Sequence, residues 1–113
     1  MDEITKATLL FSLVGVLYVG LGIPLLRGRV RPNSGYGCRT KKTLSNEKIW
    51  YAVNRVTGRD LIIAGIMIIG SSLVIFVLRR GMNPDYATLI LLAVLVLSVM
   101  RMVINSHKAQ KKL

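Results

Sequence analysis

Acidic side chains are scarce in these 113 residues: five Asp and Glu stand against sixteen Lys and Arg, for a formal net charge of +11. There is one histidine, His107, and one cysteine, Cys38. A single cysteine excludes an internal disulfide and leaves the compartment open. In a loop it reads as an unmodified small residue rather than a palmitoylation site. One histidine and five scattered carboxylates assemble neither a metal cluster nor a nucleophile–base pair, so no catalytic residue, metal or cofactor is assigned. The scarcity that sets the class is local. Residues 7–26, 61–78 and 86–100 contain no charged side chain at all.

What fills those runs is apolar, and hydrophobic residues make up 52% of the chain. At ~1.5 Å per residue, a helix over the first run reaches ~30 Å, the thickness of a bilayer's hydrocarbon core. The second run reaches ~27 Å, and the third, continued through Arg101 to about residue 105, spans as well. A soluble bundle of this length has too little interior to hide three helices that lack a polar face. The expected class is therefore an all-α integral membrane protein, one membrane domain over 1–113. Its spans lie near 7–26, 61–78 and 86–105, with a connector at 27–60. Asp2 and Glu3 before the first run, its length and the absence of a small-residue cleavage site after it argue against a signal peptide.

The basic residues are unevenly placed. Lys6 precedes the first span, and Arg79 and Arg80 lie in the short turn 79–85. The other thirteen are in the connector (Arg27, Arg29, Arg31, Arg39, Lys41, Lys42, Lys48, Arg55, Arg59) and at the end (Arg101, Lys108, Lys111, Lys112). Basic residues stay in the cytoplasm, so the expected topology in the plasma membrane has the N-terminus outside and the connector and C-terminus inside. Orientation and attraction to anionic lipid headgroups account for the charge. A nucleic-acid partner is not expected, although Tyr36, Trp50 and Tyr51 lie among the cations.

Small residues form stripes: Ser12, Gly15 and Gly22 in the first span, Gly65 and Ser72 in the second. They predict close helix packing, either within the chain or between copies in a homo-oligomer. Pro24 predicts a bend near the end of the first span. Asn83-Pro84-Asp85 predicts a sharp start to the third, with Asn83 as N-cap. Arg101 is expected to snorkel toward headgroups.

The connector opens with PNSGYGCRT, whose Pro, Asn, Ser and Gly predict turns. It lacks the Gly-Lys-Thr/Ser of a P-loop and the third glycine of a dinucleotide fold. From Ser45, read as an N-cap, Ile49, Val53 and Val56 recur at helical spacing among polar residues. That pattern predicts a short amphipathic helix in the interface, with Trp50 at headgroup depth and Gly58 ending or bending it.

The order P-N-x-x-Y-G-x-R-T-x-x-T-L-S-N-E-x-x-W-x-x-x-N-R-x-x-G, from Pro32 to Gly58 and followed by an apolar span, resembles the signature of the SdpI family of small bacterial membrane proteins. The matching positions are Asn33, Gly37, Arg39, Thr40, Thr43, Trp50, Asn54 and Gly58. The resemblance implies immunity against a membrane-active peptide toxin, that is, bacteriocin resistance, with the toxin as partner. It also implies capture of a cytoplasmic regulator, to which related immunity proteins are linked. Longer immunity proteins of the family carry a further N-terminal membrane half that these residues do not contain. Binding or modification of a lipid headgroup is the third reading. Arg39 is the side chain common to all three, able to hold a phosphate or to pin the loop through a carbonyl or Glu47.

Overall fold

The computed structural model describes residues 2–113 and contains four helices. These are α1 (Glu3–Leu26), α2 (Lys41–Leu44), α3 (Glu47–Val77) and α4 (Pro84–Lys111). Among the described residues there is no strand. Three helices are long and apolar enough to cross a membrane: α1, α3 and α4. Their outward faces carry Leu13, Val16, Leu17, Leu73, Val77, Leu89, Leu97 and Val103, each more than half exposed. Such surface is at home only in lipid.

Each helix begins where its local chemistry allows. Asp2 caps α1 by accepting from the Thr5 amide at 2.6 Å. Asn83 accepts from the Asp85 amide at 2.9 Å and Pro84 occupies the first turn of α4. α1 runs through Pro24 and stops at Leu26. There Gly28, at φ +68°, lets its amide reach the Leu25 carbonyl and the Arg29 amide reach that of Pro24. That paired bonding satisfies the last carbonyls and turns the chain back toward the bundle.

α3 corrects three expectations. The amphipathic stretch is helical, but it does not lie apart from the second span: one helix runs from Glu47 to Val77 without a break at Gly58. Its cap is Asn46, which accepts from the Lys48 and Ile49 amides, whereas Ser45 closes the short α2. At ~1.5 Å per residue α3 is ~46 Å long, well beyond a ~30 Å hydrocarbon core. Its first turns therefore stand clear of the bilayer as a post at the connector end. Trp50 belongs to that post and is fully buried against the connector, not laid out at headgroup depth.

The helix survives Gly58 because of what lies opposite. A Cβ on Gly58 would sit 2.6 Å from the Gly22 carbonyl oxygen and 2.5 Å from the Leu26 nitrogen. One on Gly22 would meet the Gly58 carbonyl oxygen at 2.6 Å. Two turns on, Gly15 and Gly65 stand in the same reciprocal relation, at 2.8 and 2.5 Å. Thr8, Ser12 and Ser72 line a notch farther along the same seam. α1 and α3 thus touch backbone to backbone at heptad intervals, the close approach that drives helix association in lipid. The roughly 1 kcal/mol that a mid-helix glycine costs is offset by this contact.

α3 is the central helix, with α1 on one side and α4 on the other; α1 and α4 touch sparingly. They meet at the short-turn end, where Ile4, Phe11, Ile68, Ile75, Ala87 and Leu91 form the core. Gly65→Ala should therefore destabilise the protein in detergent by about 1–3 kcal/mol, an overpacking cost. Gly70→Ala, with nothing within 4 Å of the new Cβ, should be neutral or stabilising. Equal unfolding midpoints for the two variants in a denaturant titration would refute the seam.

Candidate functional site

The connector is folded down onto the post, and the residues of the 32–58 signature are the groups that hold it there. Asn33 makes the first turn: its Oδ1 accepts from the Gly35 and Tyr36 amides at 2.9 and 2.7 Å, and its Nδ2 donates to the Arg31 carbonyl at 2.7 Å. The Tyr36 hydroxyl donates to the Leu21 carbonyl of α1. Arg39 donates to the Ser34 carbonyl, so of its possible contacts it makes the backbone one. Gly37 adopts φ +105°, and a Cβ there would fall 2.8 Å from the Asn54 Oδ1. Only glycine fits that position.

Asn54 is the centre of the arrangement. It is 2% exposed in the middle of a helix, where an unpaired carboxamide is costly. Its Oδ1 accepts from the Cys38 amide at 2.6 Å, while its Nδ2 donates to the Cys38 carbonyl at 3.4 Å and to the Trp50 carbonyl at 3.0 Å. The side chain thereby grips both backbone polar groups of one connector residue, much as a neighbouring strand would. Trp50 adds a bond from its indole Nε1 to the Val30 carbonyl at 2.8 Å. Thr40 and Thr43 cap α2 reciprocally, and the Thr43 hydroxyl also donates to the Cys38 carbonyl at 3.0 Å. Of the signature residues, only Gly58 acts elsewhere, in the α1–α3 seam.

The connector is tied to α4 too. Gln110 Oε1 accepts from the Thr40 hydroxyl at 2.8 Å, and its carbonyl accepts from Lys42 Nζ at 2.5 Å. Deeper in, the hydroxyls of Thr57 and Ser106 share a buried bond of 2.6 Å. Because α1 and α4 part at this end while the connector spans the gap, a groove of about 420 Å³ remains. Leu21 and Leu25 of α1 and Met102 and Val103 of α4 form its apolar walls, with Thr57 and Leu61 of α3 at the back. Tyr36, Gly37, Cys38 and Thr40 form the floor, joined by Ser106, His107 and Gln110. Leu21 and Val103 are exposed, so the groove opens sideways, toward lipid.

A second cluster lies between α3 and α4, and charge counting along the chain did not reveal it. The Asp60 side chain is fully buried. Arg101 Nη1 binds its Oδ1 at 3.1 Å and Asn105 Nδ2 its Oδ2 at 3.0 Å, while Arg59 approaches Oδ1 at 3.3 Å. Arg101 therefore reaches across to a carboxylate, which corrects the expectation that it merely snorkels to headgroups. Inside a membrane such a charge persists when it is paired and hydrogen-bonded. The available sequence signal was that Asp60 and Arg101 stand at similar distances from the α3–α4 turn and so face one another in a hairpin.

A family model described as the SdpI/YfhL protein family matches residues 29–105, which is 77 of the 113 residues. The match takes in the connector, α3 and most of α4. No curated protein and no solved structure matches the chain.

Cys38 is a built-in reporter on the clasp. It is half-buried, and burial pushes its thiol above the ordinary cysteine range, with a contact from Thr57 pulling weakly the other way. Maleimide reacts with the thiolate, so labelling should be slow at neutral pH and rise to a midpoint displaced to higher pH. Asn54→Ala releases the Cys38 peptide. It should move that midpoint down and speed labelling at neutral pH by roughly tenfold. A labelling profile unchanged by Asn54→Ala would mean that the clasp does not hold the connector.

Proposed function

Because the chain belongs to the SdpI/YfhL protein family, we propose that it gives its cell immunity against a membrane-active peptide toxin by holding an apolar segment of that peptide in the groove between α1 and α4. One observation carries this reading: the groove opens toward lipid, where such a peptide resides, and the signature connector forms part of its floor. Apolar walls take apolar side chains. The hydroxyl, carboxamide and imidazole groups of Thr40, Gln110 and His107 on the floor offer hydrogen-bond partners to the peptide's polar groups at the membrane–water boundary. This is binding, with no catalytic step assigned to the chain. By the distribution of its charge, we place the protein in the plasma membrane with the connector and C-terminus in the cytoplasm.

A second reading has an observation of its own. Arg29, Arg31, Lys41, Lys48 and Arg55 remain exposed on the connector and post, beside exposed Lys108, Lys111 and Lys112 at the end of α4. That cationic platform suits a cytoplasmic regulator with an acidic face. The two readings separate by substitution. Neutralising Lys41 should weaken regulator capture, since its side chain bonds no other among the described residues, while toxin protection should persist. Removing residues 107–113 is a poorer probe, because it also deletes Gln110, which ties α4 to the connector.

The groove reading is tested in a toxin-sensitive host challenged with a panel of purified membrane-active bacteriocin peptides. Wild type should raise survival against at least one of them. Leu21→Trp combined with Val103→Trp fills the groove from its lipid-exposed rim, and should abolish protection at an unchanged level of protein in the membrane. Full protection by that double variant, or none by wild type against any peptide, would overturn the proposal.

A further inference from the structure

The other face of α4 lines a second cleft against α3, about 380 Å³ in volume, and its chemistry is different. Three of its lining residues are cations: Arg59 from α3, Lys108 from α4, and Lys112, the residue that caps the end of α4. No Asp or Glu side chain lines it among the described residues. The nearest acid, Asp60, is turned into the bundle, fully buried and engaged by Arg101 and Asn105. Two guanidinium groups against that one carboxylate leave a positive charge, to which the two lysines add theirs. Arg59 has five donors, and its contacts to Asp60 occupy only Nε and Nη2, at 3.3–3.4 Å with the side chain half exposed.

Asn105 lines it too, with its Nδ2 given to Asp60, and the remaining walls are the side chains of Ala52, Val56, Ala109 and Leu113, which offer nothing to a free ion. We propose that this cleft binds an anionic phospholipid of the leaflet at the connector end, its phosphate among Arg59, Lys108 and Lys112 and its glycerol and first methylenes against the apolar wall. The place is right for a headgroup. Both helices pass here from their uncharged runs into charged sequence, the change that marks the membrane–water boundary. The volume is also right, since a single water takes about 30 Å³ and this cleft has room for a group many times larger. A phosphate in this position would attach to both α3 and α4, adding a lipid bridge beside the Asp60–Arg101 pair.

The test uses the full chain purified in a non-ionic detergent and native mass spectrometry of retained lipid. Phosphatidylglycerol and phosphatidylcholine with identical acyl chains are compared, with inorganic phosphate as the soluble competitor. Phosphatidylglycerol should be retained at least tenfold more tightly than phosphatidylcholine. Lys108→Gln with Lys112→Gln should weaken it by roughly 25-fold, about fivefold per charge. Ala109→Trp, which fills the cleft and alters no charge, should weaken it as well. Arg31→Gln with Lys41→Gln removes the same charge from the connector and should change retention less than about twofold, the small effect expected of a screened distant charge. The proposal falls if the two charge pairs lose lipid equally, which would mean a diffuse field, or if inorganic phosphate displaces the lipid, which would mean a soluble-anion site. Neither result bears on toxin protection, so the two proposals stand or fall separately.

Discussion

Two helices in lipid gain little from hiding apolar surface, since lipid is as apolar as they are, and the backbone contact between α1 and α3 supplies the attraction that is missing. Gly22 against Gly58 and Gly15 against Gly65 bring the helix axes close enough for carbonyl oxygens to touch the opposing helix. Everything at the connector end follows from that approach. The connector leaves α1 at Gly28 and has a short path to Trp50 and Asn54 only because the end of α1 lies directly against the post. Were the seam looser, the Cys38 peptide would sit beyond reach of the Asn54 carboxamide.

The connector shows how a polar segment is given one conformation beside a membrane. It contains no helix but the single turn of α2, and its backbone groups would otherwise turn to water. Asn33, Asn54, Trp50, Thr40 and Thr43 satisfy them instead, each through a side chain placed opposite a specific carbonyl or amide. The signature 32–58 is thus first a set of fasteners. Its functional consequence is indirect: the fastened connector becomes part of the floor of a groove whose side walls come from α1 and α4.

Much of the architecture was legible in the chain. Three apolar runs, the third once it is continued through Arg101, are long enough to cross a bilayer, and Asn83-Pro84 marks a helix start from local chemistry alone. The positions Asn33, Gly37, Trp50 and Asn54 could be picked out, but not their work, because a carboxamide or an indole bonds at long range and the spacing of residues does not say to what. The break read at Gly58 failed for a related reason. Glycine's weakness in a helix is a local property, and the contact with Gly22 that outweighs it comes from thirty-six residues away. Asp60 and Arg101 looked like two unrelated interfacial charges because they lie on different helices.

The sequence by itself determined the solvent this protein lives in and the number of its crossings, since both depend on transfer free energies that add along the chain. It also placed the cations at one end. Only the tertiary structure decided that α3 runs unbroken, that Asp60 is buried with Arg101, and that a groove and a basic cleft open on either side of α4. Those outcomes depend on pairs of groups meeting in space. A lone residue has no preference until its partner is in place.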